Sequence, residues 1–248
     1  MMASSVRASG ERIAVIAGNG LLPAIVVKAI SDAGKRPFVV MLAGEADPSL
    51  AANEHVEISV AELGRLIRSL KSVGADRVVL AGGVRTRPRL SAFRLDRYTL
   101  AIIPRIIGAL RRGDDGLLRA LIGFIESHGI RVVGAHEVVP DLLAPGQGST
   151  MTRRRPDSTD RKDIAAALQA ARAIGALDIG QGAVAIGGRV VALEGAEGTD
   201  EMLGRVAQLR SAGRLKTPGG VLVKCAKPGQ EERADLPAIG LRTVENAH

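Results

Sequence analysis

Lys224, Lys227, Gln230, Arg233 and Asp235 crowd into one short stretch, Leu222 to Gly240, around two prolines, Pro228 and Pro237. Proline fixes φ and blocks helix continuation, so the stretch reads as an extended or looped segment leaving a short apolar strand. Such a segment can turn alternate side chains toward a cleft instead of spreading them around a helix. Cations with one carboxylate on that scaffold suit a phosphate ester together with a metal ion or an activated water. A solvated surface loop would have the same composition, and the spacing alone does not separate the two. Asp235 is the first choice as metal ligand or water-orienting base. Glu197, Asp200 and Asp178 are weaker candidates, because an acid at a strand end also serves to cap the next helix. No pair of them has an established metal-ligand spacing.

The elements that must position these groups begin with a β-α-β unit. Ile13 to Ala17 reads as a buried strand, Gly18-Asn19-Gly20 as a turn, Leu22 to Ala33 as a helix closed by Gly34, and Pro37 to Leu42 as the next strand. The glycine turn sits where a doubly wound sheet binds phosphates. Pro23 replaces the third glycine of the dinucleotide fingerprint, which argues against a nicotinamide cofactor. Gly18, Asn19 and Gly20 either approach a nucleotide or merely make the tight turn.

The alternation continues with a helix over Ala61 to Val73, a strand over Arg77 to Ala81, a Gly82-Gly83 turn followed by Arg85-Thr86-Arg87-Pro88, and a helix over Tyr98 to Arg112. Gly113-Asp114-Asp115 starts another helix, running to His128, and Ile130 to Val133 is a strand followed by Gly134-Ala135-His136-Glu137. Asp114 and Asp115 complement a helix start or face a ligand. His136 beside Glu137 lacks a metal-ligand spacing and reads as structural. Repeated strand–helix units predict a parallel sheet covered on both faces, with the strand-end loops converging on one edge.

Pro140 to Asp160, with Pro-Gly-Gln-Gly-Ser and the solvated run Arg153-Arg154-Arg155, breaks the pattern and reads as a connector. Beyond it come a helix over Arg161 to Ile174, two apolar runs split by Gly187-Gly188 as a hairpin, a helix from an N-cap at Thr199 through Ser211, and a strand over Gly220 to Val223. The prediction is α/β: a Rossmann-like N-terminal domain over residues 11–140, a linker over 141–160, and a separate α+β C-terminal catalytic domain over 161–248.

The chain has 248 residues, 46% of them hydrophobic and 24% charged, as in ordinary globular domains. No apolar run is long enough to span a bilayer, and the polar, Arg-containing start lacks the apolar block of a signal peptide. The single cysteine, Cys225, excludes an intrachain disulfide and a multi-cysteine zinc site, and it fits a reducing cytoplasm. A net charge of +8 invites nucleic acid, yet three Phe, one Tyr and no Trp leave little on which bases could stack. The same charge attracts anionic lipid headgroups or a phosphorylated substrate.

Several blocks occur in a fixed order: Ile16-Ala17-Gly18-Asn19-Gly20-Leu21-Leu22-Pro23, Gly113-Asp114-Asp115, Gly134-Ala135-His136-Glu137, Leu177-Asp178-Ile179-Gly180-Gln181-Gly182, Glu197-Gly198-Thr199-Asp200, and Lys227-Pro228 through Gln230, Arg233 and Asp235-Leu236-Pro237. In that order, from about Arg12 to the end, the chain resembles the LpxI-type UDP-2,3-diacylglucosamine pyrophosphatases. The resemblance implies a Mg²⁺-dependent hydrolase of lipid A biosynthesis, cleaving UDP-2,3-diacylglucosamine to UMP and 2,3-diacylglucosamine 1-phosphate. It implies a catalytic Asp235. With the local chemistry it suggests substrate contacts from Gly18, Asn19, Gly20, Gln181, Lys224, Lys227, Gln230 and Arg233, and metal ligands among Asp235, Glu197 and Asp200. It further implies work at the cytoplasmic face of the inner membrane, touched peripherally, with no nucleic-acid partner. The family continues past the equivalent of His248, so the C-terminal domain reads as incomplete relative to it. A Rossmann-type protein that binds a sugar nucleotide without hydrolysing it is the alternative.

Overall fold

The computed structural model describes residues 12–85, 108, 113–146 and 149–248. The expected leader, Thr86-Arg87-Pro88, and the expected Tyr98–Arg112 helix apart from Gly108 lie outside the described residues. The chain divides into two compact units, Met1–Ala144 with Glu231–Ala234, and Pro145–Gln230 with Asp235–His248.

The first unit is built on a five-stranded parallel sheet: β1 (Ile13–Ala17), β2 (Phe38–Leu42), β3 (Glu54–Ile58), β4 (Arg77–Ala81) and β5 (Arg131–Val133), in the order β3-β2-β1-β4-β5. Side chains alternate along each strand, so one apolar run feeds two cores. Ala14, Ile16, Val40, Val78 and Val132 face one layer, shared with α2 (Leu63–Ser72) and α3 (Gly113–Glu126) through Ile67, Leu70, Ile122 and Ile125. Ile13, Val15, Val39, Val79 and Val133 face the other, shared with α1 (Leu22–Asp32) through Val26, Val27 and Ile30. Burial on both faces is why these strands are continuously apolar. β3 escapes that pattern. It is an edge strand whose Glu54, His55 and Glu57 are exposed, so its sequence carries no apolar run to betray it.

The strand-end loops of this unit pack into one another. Gly18 N–H donates to Ala81 O at 2.8 Å, and Asn19 and Gly83 exchange backbone hydrogen bonds of 2.8 and 3.2 Å. Asn19 Nδ2 donates to Glu45 Oε2 at 3.1 Å, while Glu45 Oε1 accepts the Arg85 N–H at 2.9 Å. The loops after β1 and β4 therefore meet at one sheet edge, as expected of Gly18–Gly20 and Gly82–Gly83, and the loop after β2 joins them through Glu45. After β5, α4 (Ala135–Val138) is capped by Glu137, whose Oε1 accepts the Gly134 N–H at 2.8 Å. That gives Glu137 a structural role.

The second unit is an antiparallel sheet of β6 (Gly182–Ile186), β7 (Arg189–Leu193) and β8 (Val221–Lys224), in the order β7-β6-β8. On one face Ala183 and Ala185 pack against Ala167 and Ala171 of α5 (Ser158–Ala176), small residues that allow a close helix. On the other, Val184 and Ile186 pack against Met202, Leu203 and Val206 of α6 (Thr199–Ser211). α5 starts earlier than predicted because Asp157 and Asp160 form a reciprocal capping box. The β6–β7 turn at Gly187-Gly188 has positive φ at both residues, as a two-residue hairpin demands. Buried Asp163 of α5 accepts both of their N–H groups. A short helix, α7 (Leu241–Ala247), closes the described chain.

Candidate functional site

Past β8 the backbone is irregular up to Gly240, as the prolines require. Lys227 is fixed at both ends. Its Nζ bonds Asp178 Oδ1 at 2.7 Å, and its N–H donates to Gln230 Oε1 at 2.7 Å. Asp178 stands in the left-handed region at φ 55°, which aims its carboxylate across the loop. Gln230 is only 9% exposed, and its Nε2 donates to Asp235 Oδ2 at 2.5 Å. The amide is thereby oriented by its neighbours: its oxygen is taken by a backbone N–H, so its NH₂ must face the carboxylate. Asp235 is half-buried and held through one oxygen.

Arg233 is engaged differently from the expectation. Its guanidinium bonds Glu231 at 2.8 and 2.9 Å and Glu126 of α3 at 2.7 Å, and Ala234 packs on the first unit's core. Asp115 Oδ1 accepts the Glu231 N–H at 3.0 Å. The hydrogen bond from Arg233 holds the Glu231 carboxyl below its ordinary range, and the same pairing raises the guanidinium's affinity for its proton. Arg233 thus spends its charge holding Glu231–Ala234 to the first unit. Asp115 has the same duty, and the Asp114 side chain lies outside the described residues.

Lys224 Nζ donates to Thr199 Oγ1 at 2.9 Å and to Ala238 O at 3.1 Å. Thr199 Oγ1 in turn donates to Glu194 Oε1 at 2.8 Å. Thr199 is therefore not the expected N-cap: Gly198, at φ 85°, occupies the cap position, and the buried Glu194 carboxylate claims the hydroxyl. Nothing in the sequence marked Glu194, because an acid after a strand looks like any other solvated acid. Gln181 is tied in through its carbonyl, which accepts the Cys225 N–H at 3.0 Å. Its Oε1 is buried with no partner among the described residues, an acceptor left over for a ligand or water.

The three acids expected as metal ligands have separate partners. Glu197 Oε1 pairs with Arg205 at 2.7 Å, and Asp200 accepts from Thr243 at 3.0 Å and pairs with Arg242 at 3.4 Å. Among the described residues no three His, Cys, Asp or Glu side chains form a group able to hold a metal ion. Asp235 keeps its Oδ1 outside the hydrogen bond to Gln230, as Glu197 keeps its Oε2 outside the pair with Arg205. A single carboxylate does fit Mg²⁺, which commonly takes one or two carboxylates and completes its shell with phosphate oxygens and water.

Of the glycine turn, Gly18 has a packing reason: a Cβ there would lie 2.2 Å from Gly83 O. Gly20 stands at φ 92°, and a Cβ there would have no described residue within 4 Å. Asn19 is occupied by Gly83 and Glu45.

Both units match known domains. Residues 12–142 match the family model of the LpxI N-terminal domain, and residues 147–248 that of the LpxI C-terminal domain. The chain belongs to the LpxI family. It is 41% identical over 239 residues to the UDP-2,3-diacylglucosamine pyrophosphatase LpxI of Caulobacter vibrioides, covering 96% of this chain and 84% of that protein. Among solved structures, a UDP-N-acetylglucosamine 4-epimerase from Bacillus cereus aligns at 22% identity and a TM-score of 0.29, over 49% of this chain and 33% of its own. A nucleoside-diphosphate-sugar epimerase from Pseudomonas aeruginosa aligns at 14% identity and a TM-score of 0.34, over 96% of each chain. The chain spans about a third of the length of the first of these. Likeness at that level carries no argument about fold or chemistry.

Proposed function

We propose that this chain hydrolyses the pyrophosphate of UDP-2,3-diacylglucosamine, releasing UMP and 2,3-diacylglucosamine 1-phosphate. The observation that carries the reading is the 41% identity, running through both domains, to a relative named for that activity. The local geometry supports it. Lys224 at the end of β8 and Lys227 on the segment after it are set by fixed partners, and Asp235 on that same segment is oriented by a buried amide.

Hydrolysis joins a water oxygen to one phosphorus as the bridging P–O bond breaks, leaving two phosphate monoesters. Negative charge grows on the bridging oxygen and must be balanced. Lys224 and Lys227 supply positive charge, with Lys227 partly offset by Asp178. Asp235, its Oδ2 held by Gln230, offers Oδ1 to hold a Mg²⁺ ion or to orient the attacking water. Mg²⁺, when bound, would neutralise phosphoryl oxygens. The Gln181 Oε1 acceptor suits a sugar or uracil donor.

We place the protein at the cytoplasmic face of the inner membrane, bound peripherally. The support is a two-chain lipid substrate, a net charge of +8, and no helix among the described residues long and apolar enough to cross a bilayer. Co-sedimentation with vesicles should rise with anionic lipid and fall with salt. Equal binding to neutral vesicles would remove the charge-based part.

The deciding experiment measures UMP release from UDP-2,3-diacylglucosamine with Mg²⁺, for the parent and for Asp235→Asn. The variant keeps the shape and loses the charge, so turnover should fall about 10²–10⁴-fold with little change in thermal unfolding. A parent that binds the substrate but releases no UMP would favour the non-hydrolytic alternative. An Asp235→Asn variant that turns over like the parent would make Asp235 structural.

A further inference from the structure

Glu194, Gly182 and Lys224 form one row across the second sheet. Gly182 pairs with Lys224 between β6 and β8, and its carbonyl accepts the Glu194 N–H at 2.9 Å on the β7 side. Residues directly opposite one another in neighbouring strands project to the same face. The middle position carries no side chain, and a Cβ there would lie 2.4 Å from Glu194 Oε2. The bare glycine is thus what lets the carboxylate fold over the sheet.

Thr199 closes the arrangement from the first residue of α6. A hydroxyl has one proton to give, and an ammonium accepts nothing, so the chain of bonds has one direction: Lys224 to Thr199 to Glu194. Glu194 is 7% exposed and Thr199 8%, while Glu194 Oε2 is buried with no partner among the described residues. A buried carboxylate is costly unless a compensating charge lies close by, and the hydroxyl connects it to one. An ammonium has three donors. Thr199 and Ala238 take two, which fixes the direction of the third, and no protein partner is found for it among the described residues.

We infer that Glu194 and Thr199 are positioning residues, holding the Lys224 ammonium so that its remaining N–H meets a phosphate oxygen of the substrate. This rests on the proposed reading in which Lys224 contacts the pyrophosphate. A role only in tying α6 to the sheet would move stability and leave the contribution of Lys224 intact.

The test is a double-mutant cycle of Thr199→Val with Lys224→Met, with Thr199→Ser and Glu194→Gln beside it. UMP release is read as kcat and KM, together with thermal unfolding. Lys224→Met should lower kcat/KM by about 10–100-fold, the scale of one charge-assisted hydrogen bond. Thr199→Val should lose roughly tenfold or more, and Thr199→Ser should recover to within about threefold of the parent. In the Lys224→Met background Thr199→Val should add less than about threefold, because its effect passes through the ammonium. Should Thr199→Val unfold, Glu194→Gln takes its place in the same cycle with the same expected non-additivity. A parent without UMP release sinks the proposed function, and this inference with it. An active parent with losses that multiply, a Lys224→Met variant like the parent, or a Thr199→Val variant like Thr199→Ser overturns the inference alone.

Discussion

Gly18→Ala separates a glycine kept for packing from one kept for ligand approach. The added Cβ would lie 2.2 Å from Gly83 O, whereas real Cβ contacts stay beyond 3.0 Å, so two backbones must part by roughly 0.8 Å. Backbone cannot swing aside as a side-chain tip can. The separation strains the paired bonds between Asn19 and Gly83, and the bond from Gly18 to Ala81. Losing two such bonds, each leaving a partly buried polar group, costs about 2–5 kcal/mol. Gly20→Ala next door is the control. It must hold a positive φ but meets no neighbour among the described residues, so it should cost about 1–2 kcal/mol. Urea unfolding of the parent and both variants, beside UMP release, reads the comparison. The packing argument fails if Gly18→Ala unfolds within about 0.5 kcal/mol of the parent. Unchanged stability with lost turnover would instead show that ligand approach excludes the methyl group.

Three further outcomes follow from the ion pairs and the glycine row. Arg233→Gln should destabilise at neutral pH and flatten the acid limb of stability. The Glu231 carboxyl is depressed by Arg233, so its contribution is full above the unfolded value of about 4.3 and fades as pH falls through the lower folded value; denaturant midpoints from pH 7 to pH 2 give the check, and parallel curves for parent and variant would refute it. Asp163→Ala strands the Gly187 and Gly188 N–H groups and should cost about 1–3 kcal/mol, with hydrogen exchange at those two amides rising; unchanged exchange would mean that the turn holds itself. Gly182→Ala should push Glu194 off the sheet and reproduce the kinetic loss of Thr199→Val, so a fully active Gly182→Ala enzyme would contradict the packing of that row.

The sequence by itself determined the elements whose apolar period is strong. β1, β2 and β4 are legible because a strand buried on both faces must be apolar at every position, and the hairpin because two successive positive-φ residues select Gly187-Gly188. The irregular backbone after Lys224 follows from its prolines, and Asp235 stands out as the carboxylate among cations. β3 was hidden, since an edge strand facing solvent can carry Glu54, His55 and Glu57 at no cost. Polar partners were settled by tertiary structure alone. Arg233 looks like a phosphate clamp until Glu126 and Glu231 are seen around it, and Thr199 looks like a helix cap until Glu194 claims its hydroxyl. The reason is physical. Periodicity is written into neighbours along the chain, whereas a hydrogen bond goes to whatever donor or acceptor the fold brings within about 3 Å: Arg233 meets Glu126 of α3 as well as nearby Glu231, and Thr199 meets Lys224 of β8 as well as Glu194.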